Sequence, residues 1–153
     1  MRRSEKEVTE RSAIDDIINR CLVCRLALSC DGMPYVVPLN FGYEDHTLYF
    51  HTAPEGRKLD ILRKNNRVCI EFDTDVEIIT SEDAAGWGSK YSSVIGFGTA
   101  TFIDDPAEKR KAYDAIMRHY AGRSRTFTYP DMCVDCSTVF KVTMDTVTGK
   151  KTG

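Results

Sequence analysis

The stretch Leu48-Tyr-Phe-His-Thr-Ala-Pro-Glu-Gly-Arg-Lys-Leu-Asp-Ile-Leu62 decides how the rest of the chain is read. Its first half alternates as a strand does, and Pro54-Glu55-Gly56 turns the chain. Leu59, Ile61 and Leu62 then give an apolar helix face, with Arg57 and Lys58 in the first turn. A helix start presents unpaired backbone N–H groups and the positive end of the helix dipole. With the Thr52 hydroxyl and two cations beside it, the junction is a receptor for a phosphate dianion. Arg57 and Lys58 could instead be ordinary surface cations with Asp60 nearby. The order strand, threonine, glycine, Arg-Lys, apolar helix favours the receptor. The chain has neither a Walker loop nor a Rossmann glycine fingerprint, so a standard nucleotide fold does not explain it.

Working upstream, Ile14, Ile17, Ile18 and Cys21 repeat at helical spacing, with Ser12 as the expected cap. Cys24–Ser29 alternates into Asp31-Gly32, a hairpin signal, and the return strand runs from Tyr35 to Tyr43. Pro38 cannot donate to a ladder, so this strand lies at an edge or bends. Glu44-Asp45-His46 turns the chain into the opening stretch.

Downstream, Val68–Asp73 is a strand, and Val76–Thr80 is either another or its continuation. Ser81–Lys90 reads as irregular, and Tyr91–Ile103 as a long strand whose Gly96 and Gly98 allow close backbone approach. Asp104-Asp105-Pro106 starts a helix that runs to Gly122. Residues 123–137 read as loop, and Thr138–Val147 as the last strand.

These elements predict a mainly β domain with flanking helices, an antiparallel barrel rather than a doubly wound sheet. At 153 residues the chain fits one domain, residues 1–153, with residues 1–8 as a mobile lead-in. A net charge of −2 gives nucleic-acid binding no electrostatic support. No apolar run is long enough to span a membrane and no signal peptide is visible, so a cytoplasmic protein that does not engage membranes is expected. The six cysteines then read as thiols.

Cys21-Leu-Val-Cys24 and Cys133-Val-Asp-Cys136 have the internal spacing of zinc ligands. More than one hundred residues separate the pairs, and Cys21 lies on an apolar stripe, so no metal ligand set is assigned. A redox dithiol at Cys133 and Cys136 is a further reading. No serine or cysteine has the context of a hydrolytic nucleophile. Among the three histidines, His46 and His119 occupy ordinary places. His51 is either a hydrogen-bonded sheet residue or, next to Thr52 and the Arg57-Lys58 clamp, a group that orients substrate or moves a proton. Trp87 and Tyr91, followed by Ser92-Ser93-Val94-Ile95, are either core packing or a flap over a planar ring.

Three segments carry a resemblance: Pro34–Tyr43, Leu48–Ala53 and Gly56–Asp60. With the Trp87…Tyr91–Gly96 segment and the closing Val139–Val142 strand, they make residues 10–148 similar to the pyridoxamine 5′-phosphate oxidase-like flavin-binding superfamily. Within it, the nitroimidazole-resistance (Nim-type) branch is the nearest in look. The resemblance implies a Greek-key-like split β-barrel working as a homodimer, with FMN in the interface. It implies that Val37, Pro38, Leu39 and Asn40 face the isoalloxazine edge through backbone groups. Thr52, Ala53, Gly56, Arg57 and Lys58 would surround the phosphate, and Ser92, Ser93 and Val94 would approach the cofactor from the partner subunit. His51 would lie beside the ring where substrate docks, with Trp87 and Tyr91 as an apolar wall. The implied activity is an FMN-dependent oxidoreductase acting on a small, planar, electron-poor compound such as a 5-nitroimidazole. A non-catalytic FMN carrier or sensor is the alternative. Pyridoxamine 5′-phosphate oxidation is disfavoured, because the short tail from Asp145 offers no basic substrate clamp.

Overall fold

The computed structural model describes residues 3–152. Among them, eight strands form one antiparallel sheet: β1 (Glu7–Val8), β2 (Cys24–Cys30), β3 (Met33–Leu39), β4 (Gly42–Glu44), β5 (Thr47–Thr52), β6 (Arg67–Ile79), β7 (Gly88–Ile103) and β8 (Thr138–Thr152). Four α-helices accompany them: α1 (Arg11–Arg20), α2 (Arg57–Lys64), α3 (Pro106–Ala121) and α4 (Asp131–Asp135). The sheet order is β3-β2-β6-β7-β8-β5-β4, and β1 adds to β8. The mainly β architecture expected from the sequence is therefore present. β3 is an edge strand, one of the outcomes that Pro38 allows.

Local chemistry fixes the turns. Asp31 and Gly32 both take positive φ, at 51° and 78°, as a tight two-residue hairpin demands. Asp45 and His46 repeat this at 48° and 62° without a glycine. Asp105 caps α3, its carboxylate accepting from the Glu108 N–H at 2.9 Å, and Pro106 opens the helix.

Several boundaries depart from the sequence reading. Glu10, not Ser12, precedes α1, and no side chain caps that helix. Of the two readings for Val76–Thr80 the continuation holds: Val76–Ile79 prolongs β6 past an irregularity between Thr74 and Glu77, where Asp75 sits at φ 59°. β7 begins at Gly88, inside the segment read as irregular, and residues 131–135 of the supposed loop form α4. β8 runs to Thr152, so the tail belongs to the sheet. Glu7 and Val8 pair with Lys150 and Gly149, which ties down the end of the expected lead-in. The part of that lead-in at residues 1–2 lies outside the described residues.

The main core collects Ile14, Ile17 and Ile18 of α1, Leu59 and Leu62 of α2, and inward side chains of the sheet. Phe50 stacks on Phe140 with centroids 4.9 Å apart, and Phe41 meets Phe72 edge-on at 5.2 Å. A second apolar layer lies on the other side of β5 and β8, where Ala112, Ala115, Ile116, Val134 and Val139 are buried by α3 and α4. Gly42 makes that docking possible: a Cβ there would lie 2.5 Å from the Ile116 nitrogen and 2.6 Å from the Ala115 carbonyl carbon. Both neighbours are helix backbone and cannot rotate away. Gly42→Ala is expected to cost roughly 1–3 kcal/mol by overpacking, read as a lower thermal midpoint.

Candidate functional site

α2 begins at Gly56, whose φ of 135° an L side chain rarely adopts. No side chain caps the helix, and a Cβ at Gly56 would meet nothing within 4 Å. The first turn is thus open, with its leading N–H groups free for an anion. Its two cations point to the same use. The Arg57 guanidinium lies over the Tyr35 ring, 5.0 Å from the centroid, and Lys58 is half-buried. Among the described residues neither forms a salt bridge. Cations at the positive end of a helix are unfavourable unless an anion offsets them.

Arg57 also links the helix mouth to β3. Tyr35, Val37 and Leu39 turn one half-buried face toward the core, while Val36, Pro38 and Asn40 are exposed. Asn40 is held beyond the strand end: its amide donates to the Tyr120 hydroxyl at 3.2 Å, and the Phe41 N–H donates to the same oxygen at 3.0 Å. Tyr120 in turn donates to the Leu22 carbonyl at 2.8 Å.

His51 and Thr52 leave β5 on opposite sides because side chains alternate along a strand. Phe50 points into the main core, and His51 lies in the α3 layer with its ring 5.6 Å from Tyr113. Tyr113 stacks on Tyr129 at 5.2 Å, and the Tyr129 hydroxyl donates to Asp114 at 2.9 Å. His51 keeps part of its surface in solvent, and burial of the rest lowers its pKa below the usual 6.5. Burial also lowers His119, partly offset by its contact with the Cys21 carbonyl. Both rings therefore favour the neutral form in the folded chain. Their contribution to stability is complete above pH ~6.5 and is lost as pH falls through the depressed folded values. Thermal midpoints should hold steady from neutral upward and decline below pH ~6.5. His51→Gln should flatten that acid slope.

Ser92 and Val94 are buried and Ser93 half-buried. Asp75 lies beside Ser92, its carboxyl held below the usual range first by Arg20 and then by Ser92. Tyr91 lies under Lys150, whose ammonium is 4.8 Å from the ring centroid. Trp87 is 56% exposed on the β6–β7 connection, its indole N–H donating to the Ser81 carbonyl at 2.7 Å.

Within one chain these residues form two groups. Thr52 pairs with Thr138 at the start of β8, whereas Tyr91 pairs with Thr152 at its end. The strand is 15 residues long, so roughly 45 Å of extended chain separates the two ends. Thr52, Ala53, Gly56, Arg57 and Lys58 lie along the β5–α2 connection, with His51 just before them on the opposite side of β5; Trp87, Tyr91, Ser92, Ser93 and Val94 lie toward the far end of β8.

The cysteine pairs do not converge either. Cys21 and Cys24 are buried, their thiols donating to the Ile17 carbonyl at 3.2 Å and the Leu39 carbonyl at 3.6 Å. Burial pushes their pKa values up to about 11 and about 12. Cys133 on α4 and Cys136 at its C-cap are both exposed. The first pair meets α3 at His119, and the second lies beside Lys109 and Tyr113. At about 1.5 Å per residue those contacts are roughly 10–15 Å apart along the helix, too far for one tetrahedral ion.

Sequence reasoning missed Tyr35, Tyr113, Tyr120 and Tyr129. Tyr113 and Tyr120 are seven residues apart in α3, a same-face spacing that was available as a signal.

This eight-stranded antiparallel sheet with its flanking helices is a split barrel, and the same fold recurs in solved structures. The flavocytochrome Anf3 from Azotobacter vinelandii shares this fold, with a TM-score of 0.86 at 17% identity over 100% of this chain and 72% of that one. An FAD- and heme-binding protein from Mycobacterium smegmatis gives 0.86 at 19% identity over 96% and 73%. A candidate 5-nitroimidazole antibiotic resistance protein from Bacteroides thetaiotaomicron is 38% identical, with a TM-score of 0.84 over 95% of this chain and 86% of that one. Residues 10–151 match the family described as pyridoxamine 5′-phosphate oxidase, and the chain belongs to that family. No curated protein matches it. No helix among the described residues is long and apolar enough to cross a membrane.

Proposed function

We propose that the protein is an FMN-dependent oxidoreductase that reduces a small, planar, electron-poor compound of the 5-nitroimidazole kind. The observation that carries this reading is the uncapped mouth of α2, with two cations free of salt bridges and an open glycine beside an edge strand. That donor set fits a terminal phosphomonoester, so FMN fits better than a flavin lacking an exposed terminal phosphate. Arg57, Lys58, Thr52 and the first N–H groups of α2 would hold the phosphate. The backbone of Val37–Asn40 would meet the ring edge, with Tyr120 fixing Asn40. Bound FMN would supply the electron relay. His51, neutral at pH 7, would present a hydrogen bond at the substrate side, and Tyr113 would fix its ring.

The second group of residues enters through a homodimer. One sheet face places Val36, Ala27, Cys69 and Phe97 in register across β3, β2, β6 and β7. Val36 is 58% exposed and Phe97 51% exposed, and Ile95 lies next to them. A cavity of about 310 Å³ opens on this face beside Phe97 and Arg67. Pairing two such faces would bring Tyr91–Val94 of one protomer toward the α2 mouth of its partner.

The test is to load the protein with FMN, reduce it anaerobically and mix it with a 5-nitroimidazole. Return of the oxidised flavin absorbance at a rate that rises with acceptor concentration is expected. A reduced flavin that persists against every acceptor of this class would leave a carrier or sensor.

A further inference from the structure

Cys133 and Cys136 take no part in the proposed flavin site, yet their position connects them to it. Cys133 lies in the single turn of α4 and Cys136 is its C-cap, still near helical conformation at φ −79°, ψ −6°. Both thiols are free and exposed. Residues three apart on a helix share a face, with Cβ atoms about 5–6 Å apart. A disulfide needs about 3.5–4.5 Å, so bonding this pair must tighten the turn by about 1–2 Å. A one-turn helix at the molecular surface can absorb that movement. What it cannot do is keep it local. The Lys109 ammonium holds both the Val134 carbonyl, at 3.1 Å, and the Ser137 carbonyl, at 3.0 Å. The Tyr113 hydroxyl meets the Ser137 hydroxyl and lies 3.5 Å from the Cys133 carbonyl. Tyr113 carries the ring that packs on His51. Thr138, two residues past Cys136, pairs with Thr52.

We propose that Cys133 and Cys136 are a reversible redox pair, and that closing their disulfide shifts Ser137 and Tyr113 and thereby the setting of His51. The oxidant is a low-molecular-weight disulfide. One cysteine thiolate attacks it, forming a mixed disulfide and expelling one small thiolate. The other cysteine then attacks the protein sulfur of that mixed disulfide and expels the second. Two electrons pass from the pair to the small disulfide, and the two thiol protons end on the two released thiols. The buried pair Cys21 and Cys24 is not accessible to this exchange.

The inference is independent of flavin binding and can be tested apart from it. The full-length protein is equilibrated in buffers of varied glutathione to glutathione disulfide ratio, alkylated, and cut with trypsin. Peptide 126–141 carries these two cysteines and no other. The expected result is conversion, in a single titration, of that peptide from a doubly alkylated form to an unalkylated form two hydrogen masses below the free dithiol, reversed by dithiothreitol and abolished in Cys133→Ser and in Cys136→Ser. The His51 ring-proton resonance, assigned with His51→Gln, is expected to move between the two forms. In Cys133→Ser it should stay at its reduced position at every ratio. Cysteines that remain alkylatable, or that carry only separate glutathione adducts at disulfide excess, would overturn the proposal. So would a disulfide that forms while the His51 resonance stays fixed.

Discussion

Replacing Arg57 and Lys58 together by alanine is expected to weaken FMN binding about a thousandfold while leaving the fold intact. Each charge-assisted hydrogen bond to a phosphate is worth roughly 1.5–3 kcal/mol, and every 1.4 kcal/mol is tenfold in affinity. Two such contacts therefore reach about 10²–10⁴-fold. Stability should change little. Arg57 and Lys58 occupy the first positions of α2, where the helix dipole disfavours a cation. Among the described residues, neither has a carboxylate partner to offset that cost. Their removal relieves a few tenths of a kcal/mol of unfavourable dipole interaction, and loss of the Arg57–Tyr35 contact at about 0.5–1 kcal/mol offsets or slightly exceeds that gain. Calorimetric titration with FMN and a thermal melt measure the two effects separately. Unchanged FMN affinity in the double variant would remove the phosphate from this helix mouth.

Two cations set against the helix dipole explain why this candidate anion site could be picked out in the sequence. A helix that begins Gly-Arg-Lys works against its own dipole, and that tension is visible without coordinates. The hairpin at Asp31-Gly32, the edge position of Pro38 and the Asp105-Pro106 helix start were legible for the same reason. Each depends on neighbours in sequence. β6 was legible only as one of two alternatives, because Asp73-Thr74-Asp75 looks like a turn. Pairing with β7 on both sides of the irregularity carries the strand through it. The Tyr113 ring against His51 was hidden as well. Sixty-two residues separate the two in sequence, and the contact exists because Gly42 lets α3 settle onto β4 and β5. The second group of candidate residues could be picked out by residue type, but their placement could not. Nothing local reveals that β8 continues to Thr152 and holds Tyr91 far from Thr52.

That separation makes the second large effect a property of assembly. Phe97→Asp is expected to raise the dimer dissociation constant at least a hundredfold and to lower FMN affinity with it. Phe97 is 51% exposed on the sheet face and pairs with Cys69 on β6, so the isolated protomer loses little when it becomes polar. A thermal melt at low concentration should therefore change little. At a dimer seam the same change removes an aromatic anchor and buries a charge, which costs about 2–4 kcal/mol. If Tyr91, Ser92, Ser93 and Val94 complete the flavin site of the partner, occupancy must fall as dimers dissociate and recover at high protein concentration. Sedimentation velocity with absorbance set on the flavin band follows both quantities in one run. A Phe97→Asp protein that remains dimeric would place the seam elsewhere. A monomer holding FMN at the parental affinity would show that Thr52, Arg57 and Lys58 suffice within one chain, and that the second group has another use.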